Sequence, residues 1–346
     1  MQSLIKPKLL RKGDTIGVVS PSAPLAGLVP HRTEKGVESI KKMGFTVRLG
    51  ESALKVSEYT AGSAEERARD INDFFIDKDI KAIFTFIGGN HSNQILKYLD
   101  FSLIKKNPKI LLGYSDTTVL HFALNTKANL VSFYGPAVLT QFGEYPEMFS
   151  YTKEYFERNL MNDRAVGKII PSLKWTDEVL NWFEKEDLKR PRKTKENKGW
   201  QWLKKGEAEG PILGGCISSM MHLKGTEYWP DFNNSIFFWE ISESEGDFTK
   251  GERPENIDSY LTDLELSGLF KEIKGMIIGR PFGYTSQQIN LLKKIILERT
   301  KDYNFSILFG LDTGHTDPML TIPLGVKVKL DSEENIFYFS ESGVKE

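Results

Sequence analysis

Cysteine is nearly absent, with one thiol, Cys216, in 346 residues. A lone cysteine excludes an internal disulfide and a Cys-rich zinc site and suits a reducing compartment, so the cytoplasm is the expected location. Long apolar runs are missing too. No segment approaches the roughly 18 uncharged apolar residues of a membrane helix. The residues ahead of Gly13 carry Lys and Arg without a stretch of signal-peptide length. Neither secretion nor a membrane partner is expected. Charge of one sign is not in excess either: 46 Lys plus Arg against 47 Asp plus Glu leave a net charge of -1. That supplies no global field for nucleic acid, and none is expected as a partner. There is no G-x-G-x-x-G after a strand, no G-x-x-x-x-G-K-[ST] and no H-E-x-x-H, which excludes the familiar dinucleotide, P-loop and zincin signatures.

What is present is an ordinary globular balance, 40% hydrophobic and 27% charged. The chain is longer than one compact core usually fills, so two domains with a cleft between them are expected. From Thr15 to about Thr140, short apolar runs alternate with amphipathic helical stretches, the pattern of a parallel sheet covered by helices. Its strands are expected at Thr15–Ser20, Phe45–Leu49, Ala82–Ile87, Ile110–Gly113 and Leu130–Tyr134. Ser63 and Glu66 form a capping box ahead of a helix over Ala64–Phe75. The first domain is assigned to residues 1–165. A second, β-rich α/β domain follows over 166–346, with strands at Gly210–Gly215, Ile236–Ile241, Gly275–Gly279, Ser306–Leu311, Val326–Leu330 and Ile336–Phe339 and a helix over Ile257–Leu269. Within the second domain, at about 174–205, lies an excursion rich in tryptophan and charge (Trp175, Trp182, Trp200, Trp202), which reads as a long loop or lid.

A hydrolase-like set of residues remains. The strand KILLGYSD runs straight into the helix TTVLHFALN, placing Ser115 at a strand-to-helix turn where a hydroxyl is exposed and following amides point at it. Ser115 or Asp116 could equally cap the helix. A serine nucleophile needs a base. Of five histidines, His121 and His222 sit among apolar residues on helices and read as packed, and His31 opens a helix near the surface. His315, in ILFGLDTGHTDP, and His91, in FIGGNHSN, both follow strand ends and stay open as candidates. The orienting carboxylate is best supplied by Glu240, which ends the run Ile236–Trp239 and needs a partner beside so much apolar surface, with Glu243 or Glu245 as substitutes. Gly88 and Gly89 let backbone approach a substrate, and with the Asp116 amide they could form an oxyanion hole. Two rival readings are a metal hydrolase using His91, His315, Asp312, Asp317 or Asp116, and a two-domain binding protein without chemistry. Cys216, opening an apolar helix, is read as buried rather than nucleophilic.

The motifs IGGNHSNQ, LGYSD, GPILGGC, the strand ending in WEIS, and DTGHTDP together resemble the family of LD-carboxypeptidases and microcin C immunity peptidases over nearly the whole chain. The resemblance implies a flavodoxin-like N-terminal domain plus a β-rich C-terminal domain, no metal or organic cofactor, and a homodimer. It assigns Ser115 as nucleophile, His315 as base, Glu240 as the residue that orients it, and the backbone of Gly89 and Asp116 as oxyanion donors. Gly88, Asn90 and Gly214 are expected to line the substrate site. The excursion LKWTDEVLNWFE resembles the immunity branch, in which a loop aromatic stacks on the nucleobase of a peptidyl or aminoacyl nucleotide. Trp175 or Trp182 would fill that role, or would simply anchor the loop. The alternative substrate is a murein tetrapeptide ending in D-alanine.

Overall fold

The computed structural model describes residues 4–244 and 246–346. Five strands, β1 (Thr15–Val19), β2 (Thr46–Leu49), β3 (Ile80–Thr85), β4 (Ile110–Gly113) and β5 (Ser132–Tyr134), pair in parallel in the order 2-1-3-4-5. The parallel pairing is what the alternating pattern predicts, and the 2-1-3-4-5 order is the flavodoxin-like arrangement that the family resemblance implies. Burial explains the composition of each strand. In β4 every residue is buried, as an inner strand between two helical layers requires. The edge strand β2 alternates exposed and half-buried positions. The capping box is present: the Glu66 amide donates to Ser63 Oγ at 3.2 Å and the Ser63 amide to Glu66 Oε2 at 2.9 Å, starting the helix Ala64–Ile76.

Thirteen more strands follow in the later part of the described chain. They are β6 (Gly167–Lys168), β7 (Lys174–Trp175), β8 (Lys195–Glu196), β9 (Gln201–Lys204), β10 (Glu207–Cys216), β11 (Ile236–Glu240) and β12 (Glu243–Ser244). After them come β13 (Asp247–Gly251), β14 (Gly275–Gly279), β15 (Ser306–Leu311), β16 (Ile322–Leu324), β17 (Lys327–Asp331) and β18 (Ile336–Phe339). Eight build a mixed sheet in the order 6-18-17-10-11-14-15-9, in which β10, β11, β14 and β15 run parallel. The ten residues of β10 change character along their length. The half paired with antiparallel β17 alternates exposed and buried, and the half beside β11 is almost wholly buried. β7 with β8 and β12 with β13 form separate two-stranded ribbons.

Three features depart from the sequence reading. β16 leaves the second sheet and pairs antiparallel with β5, completing the first sheet at its edge. Three residues with a central proline carry no strand signal, and Pro323 is tolerated there because an edge strand can spare an amide donor. β9, at the end of the tryptophan-rich excursion, is an edge strand of the second sheet and not part of a loop. The helix expected from Ile257 begins at Pro254, whose fixed φ suits a first helical turn, and ends at Leu266. No helix among the described residues is long and apolar enough to cross a membrane.

Candidate active site

The C-terminal ends of the parallel strands in both sheets meet, which is where open α/β sheets place their ligands. β4 ends at Gly113, and Ser115 follows with φ +60°, in the left-handed region. A non-glycine residue there costs about 1–2 kcal/mol, so surrounding bonds must hold it. The Ser115 amide donates to Tyr134 Oη at 3.2 Å, and its carbonyl accepts from Thr118 Oγ1 at 2.6 Å. Relief of this strain is measurable: Ser115→Gly is expected to raise unfolding free energy by about 1 kcal/mol in chemical denaturation.

From the second sheet, Glu240 ends β11 and is fully buried. Its Oε1 accepts from Tyr134 Oη at 2.5 Å and its Oε2 from His315 Nδ1 at 2.8 Å, with the His315 amide at 3.3 Å from the same oxygen. Gly314, at φ +100°, makes the last contact possible, since a Cβ there would lie 2.5 Å from Glu240 Oε2. Ser115, Tyr134, Glu240 and His315 therefore form one connected chain across the two sheets. A second tie is the Cys216 amide donating to Thr118 Oγ1 at 3.0 Å. The far ring nitrogen of His315 faces Glu243 Oε2 at 3.1 Å rather than Ser115. Burial pulls the imidazole down, but the charges of Glu240 and then Glu243 outweigh it and push it up to about 9.

The end of β3 lies over the serine turn. A Cβ on Gly88 would sit 2.9 Å from the Asp116 amide nitrogen and 3.0 Å from Ser115 Oγ, so only glycine admits a small group there. Gly89 packs on Ser22 and Ala23. The buried Asp116 carboxylate accepts from the His91 and Ser92 amides, each at 2.9 Å, and so fixes this loop to the turn. His91 contributes its backbone to that tie, while its ring lies 4.6 Å from the ring of Tyr59.

Other expected residues take different places. Gly214 is buried against the neighbouring strand, where a Cβ would lie 1.6 Å from the Phe238 carbonyl oxygen, so glycine is what lets β10 pack on β11. Asn90 accepts from His222 Nε2 at 2.7 Å, and His222 is exposed, not packed in a core as its apolar neighbours suggested. His121 is buried with both nitrogens used: Nε2 donates to the Gly113 carbonyl and Nδ1 accepts from Ser132, each at 2.9 Å. Burial pulls it down to about 4, so it is neutral. Burial, and next the charge of Glu240, push the Cys216 thiol up to about 12, which leaves it unreactive as a nucleophile. Glu245 lies outside the described residues. The side chains weighed as metal ligands do not gather. Asp312 pairs with Arg280 at 2.6 Å, Asp317 with Arg192 at 2.6 Å, and no group of three His, Cys, Asp or Glu suited to an ion occurs among the described residues.

The excursion is a strap tied to both sheets. Trp182 packs on the core with the Arg32 guanidinium 4.4 Å from its ring centre, and Arg32 bonds Asp187 Oδ2 at 3.2 Å. Trp175 has Arg280 and Lys195 each 4.7 Å from its ring centre. Arg192 reaches inward to Glu144 at 2.5 Å and Asp317, two residues past His315. This pairing was illegible in PRKTKENKG, where Arg192 reads as one of several solvated cations. Because Glu144 and Asp317 are buried, Arg192→Met would strand two carboxylates, and a loss of about 3–5 kcal/mol in unfolding free energy is expected.

Two family models match the chain, the LD-carboxypeptidase N-terminal domain over residues 16–135 and the LD-carboxypeptidase C-terminal domain over residues 209–330. The chain is 33% identical over 336 residues to the microcin C7 self-immunity protein MccF of Escherichia coli, covering 96% of this chain and 94% of that protein. It is 29% identical over 346 residues to the "Probable murein peptide carboxypeptidase" of Bacillus subtilis (strain 168), covering 99% and 96%. Among solved structures, MccF in complex with glutamyl sulfamoyl guanosine superposes with a TM-score of 0.89 at 31% identity, covering 98% of this chain and 99% of that one.

Proposed function

Since the chain belongs to the LD-carboxypeptidase family of serine peptidases, we propose that Ser115, His315 and Glu240 are its catalytic triad and that it hydrolyses peptidyl or aminoacyl nucleotides. The observation that carries this reading is the buried hydrogen-bonded chain from the Ser115 amide through Tyr134 and Glu240 to His315. In the reaction, His315 takes the Ser115 hydroxyl proton as Oγ attacks the acyl carbonyl, and Glu240 holds the imidazole in the Nδ1–H tautomer. The amides of Gly89 and Asp116 receive the oxyanion. The protonated His315 then gives its proton to the leaving amine or nucleoside phosphoramidate, and water resolves the acyl-enzyme by the same route. Nε2 must turn from Glu243 to Ser115 for the first step, a tightening that resting enzymes commonly leave to substrate binding.

The nucleotide specificity is supported by the MccF relatives and by aromatic residues on a strap tied beside the His315 loop. A second reading, release of D-alanine from murein tetrapeptides, is favoured by one observation: Trp175 and Trp182 already carry cations at their ring faces. Chromatographic hydrolysis of a murein tetrapeptide and of an aminoacyl sulfamoyl adenosine decides between them. Cleavage of the nucleotide alone supports the first reading, and cleavage of the tetrapeptide alone overturns it. The proposal extends to a homodimer in the cytoplasm; the buried single thiol accords with that compartment, and sedimentation tests the dimer.

The raised His315 gives a pH prediction. The base is neutral only above its value in the folded enzyme, so kcat/KM is expected to climb through about pH 9. Stability has the opposite slope. A histidine raised on folding contributes stability that is complete below its ordinary value near 6.5 and is lost as pH rises through about 9. Denaturation measured from pH 6 to 10 reads that loss.

A further inference from the structure

Glu243 stands on the short ribbon of β12 and β13, just beyond the strand that ends in Glu240. Its side chain is 37% exposed while that of His315 is 6% exposed, so it links solvent to the buried base. Oε2 is the buried end. It lies 3.1 Å from His315 Nε2, yet it makes no hydrogen bond of good geometry among the described residues. An acceptor held dry without a proper donor is a position that a better donor can take. Glu240, by contrast, has both oxygens fully engaged.

Resting on the hydrolase reading above, we propose that Glu243 is a specificity-determining carboxylate that receives an ammonium group from the acyl side of the substrate, and that this pairing releases His315 Nε2 for Ser115. The chemistry follows from what each nitrogen needs. While Glu243 faces Nε2, a proton there is favoured and the imidazole cannot act as base. A substrate ammonium bound to the same carboxylate replaces the imidazolium as its cation, and the Nε2 proton leaves to solvent, so charge at the site is conserved. A substrate with a blocked amine leaves His315 paired, and one with a carboxylate at that point is repelled.

The other charges around His315 do not do this. Glu240 lies on Nδ1, Asp317 on the same loop is held by Arg192, and Cys216 and Tyr134 act through Glu240. Tyr114, its ring centre 4.9 Å from that of the imidazole, is held protonated well above its ordinary value, by burial first and then by the charge of Glu243.

The test uses wild type and Glu243→Gln with two readouts. The first is the rate at which a neutral fluorophosphonate labels Ser115 as a function of pH. The second is kcat/KM for an aminoacyl sulfamoyl adenosine against its N-acetyl form. In wild type the labelling rate should rise through about pH 9, and Glu243→Gln should move that rise at least about one pH unit lower, as expected when an opposing charge is removed. Wild type should prefer the free amine by on the order of tenfold, and the ratio should fall to about one in Glu243→Gln. Equal cleavage of both forms by wild type, cleavage of neither, or a ratio unchanged by the substitution overturns the inference while labelling of Ser115 leaves the hydrolase reading intact. Absence of any labelling of wild-type Ser115 overturns both.

Discussion

Ser115→Ala is expected to lower kcat by on the order of 10^5- to 10^6-fold while leaving the fold intact. The size follows from what the hydroxyl does. In the proposed mechanism no acyl-enzyme forms without Oγ, and the residual rate comes only from binding and from amides facing the carbonyl, which together leave about 10^3-fold over water in comparable triads. The fold should survive because, among the described residues, no bond that holds the turn uses Oγ: the amide goes to Tyr134 and the carbonyl to Thr118. Alanine keeps the same positive φ and its strain, so its stability should match wild type within about 0.5 kcal/mol. Activity measured with whichever substrate wild type cuts, beside a denaturation curve, separates the two effects. A variant retaining more than a hundredth of wild-type kcat would remove Ser115 from the nucleophile role.

Much of this architecture was legible because each element obeys a local rule. The runs TIGVV and ILLG are continuous apolar segments, and strands buried on both faces must be so. Ser63 and Glu66 announce a helix start that the structure repeats bond for bond. Ser115 could be located because a strand running without pause into a helix forces a sharp turn, and the structure shows that turn at φ +60°. Tyr134 could not be singled out. It ends an ordinary apolar strand, and its hydroxyl matters only because β11 of the other sheet brings Glu240 within 2.5 Å. Arg192 was hidden for a similar reason: its partners lie 48 and 125 residues away, and no local pattern marks which cation of a charged run turns inward. Gly214 has a reason that the glycine pair alone did not reveal: the Phe238 backbone beside it leaves no room for a Cβ.

Glu240→Gln is the second large effect, with an expected fall in kcat of about 10^3- to 10^4-fold and little change in KM. Glutamine keeps the volume but exchanges an acceptor oxygen for an NH2 donor. Among the described residues the wild-type carboxylate is met by donors, Tyr134 Oη on Oε1 and His315 Nδ1 and amide on Oε2. If the new NH2 faces His315, the imidazole must present a bare Nδ1 and carry its proton on Nε2, the wrong tautomer for a base toward Ser115. If it faces Tyr134, the phenol must turn its proton away, and the tie to the Ser115 amide is disturbed. Either orientation also removes the charge that would stabilise the imidazolium formed in the proposed reaction. The readouts that separate this from simple damage are the pH profile and Glu240→Asp. Loss of the Glu240 charge beside His315 should move the rise in kcat/KM below about pH 9, and aspartate, shorter but still a carboxylate, should recover more activity than glutamine. Glutamine outperforming aspartate would mean that Glu240 serves by shape and not by charge.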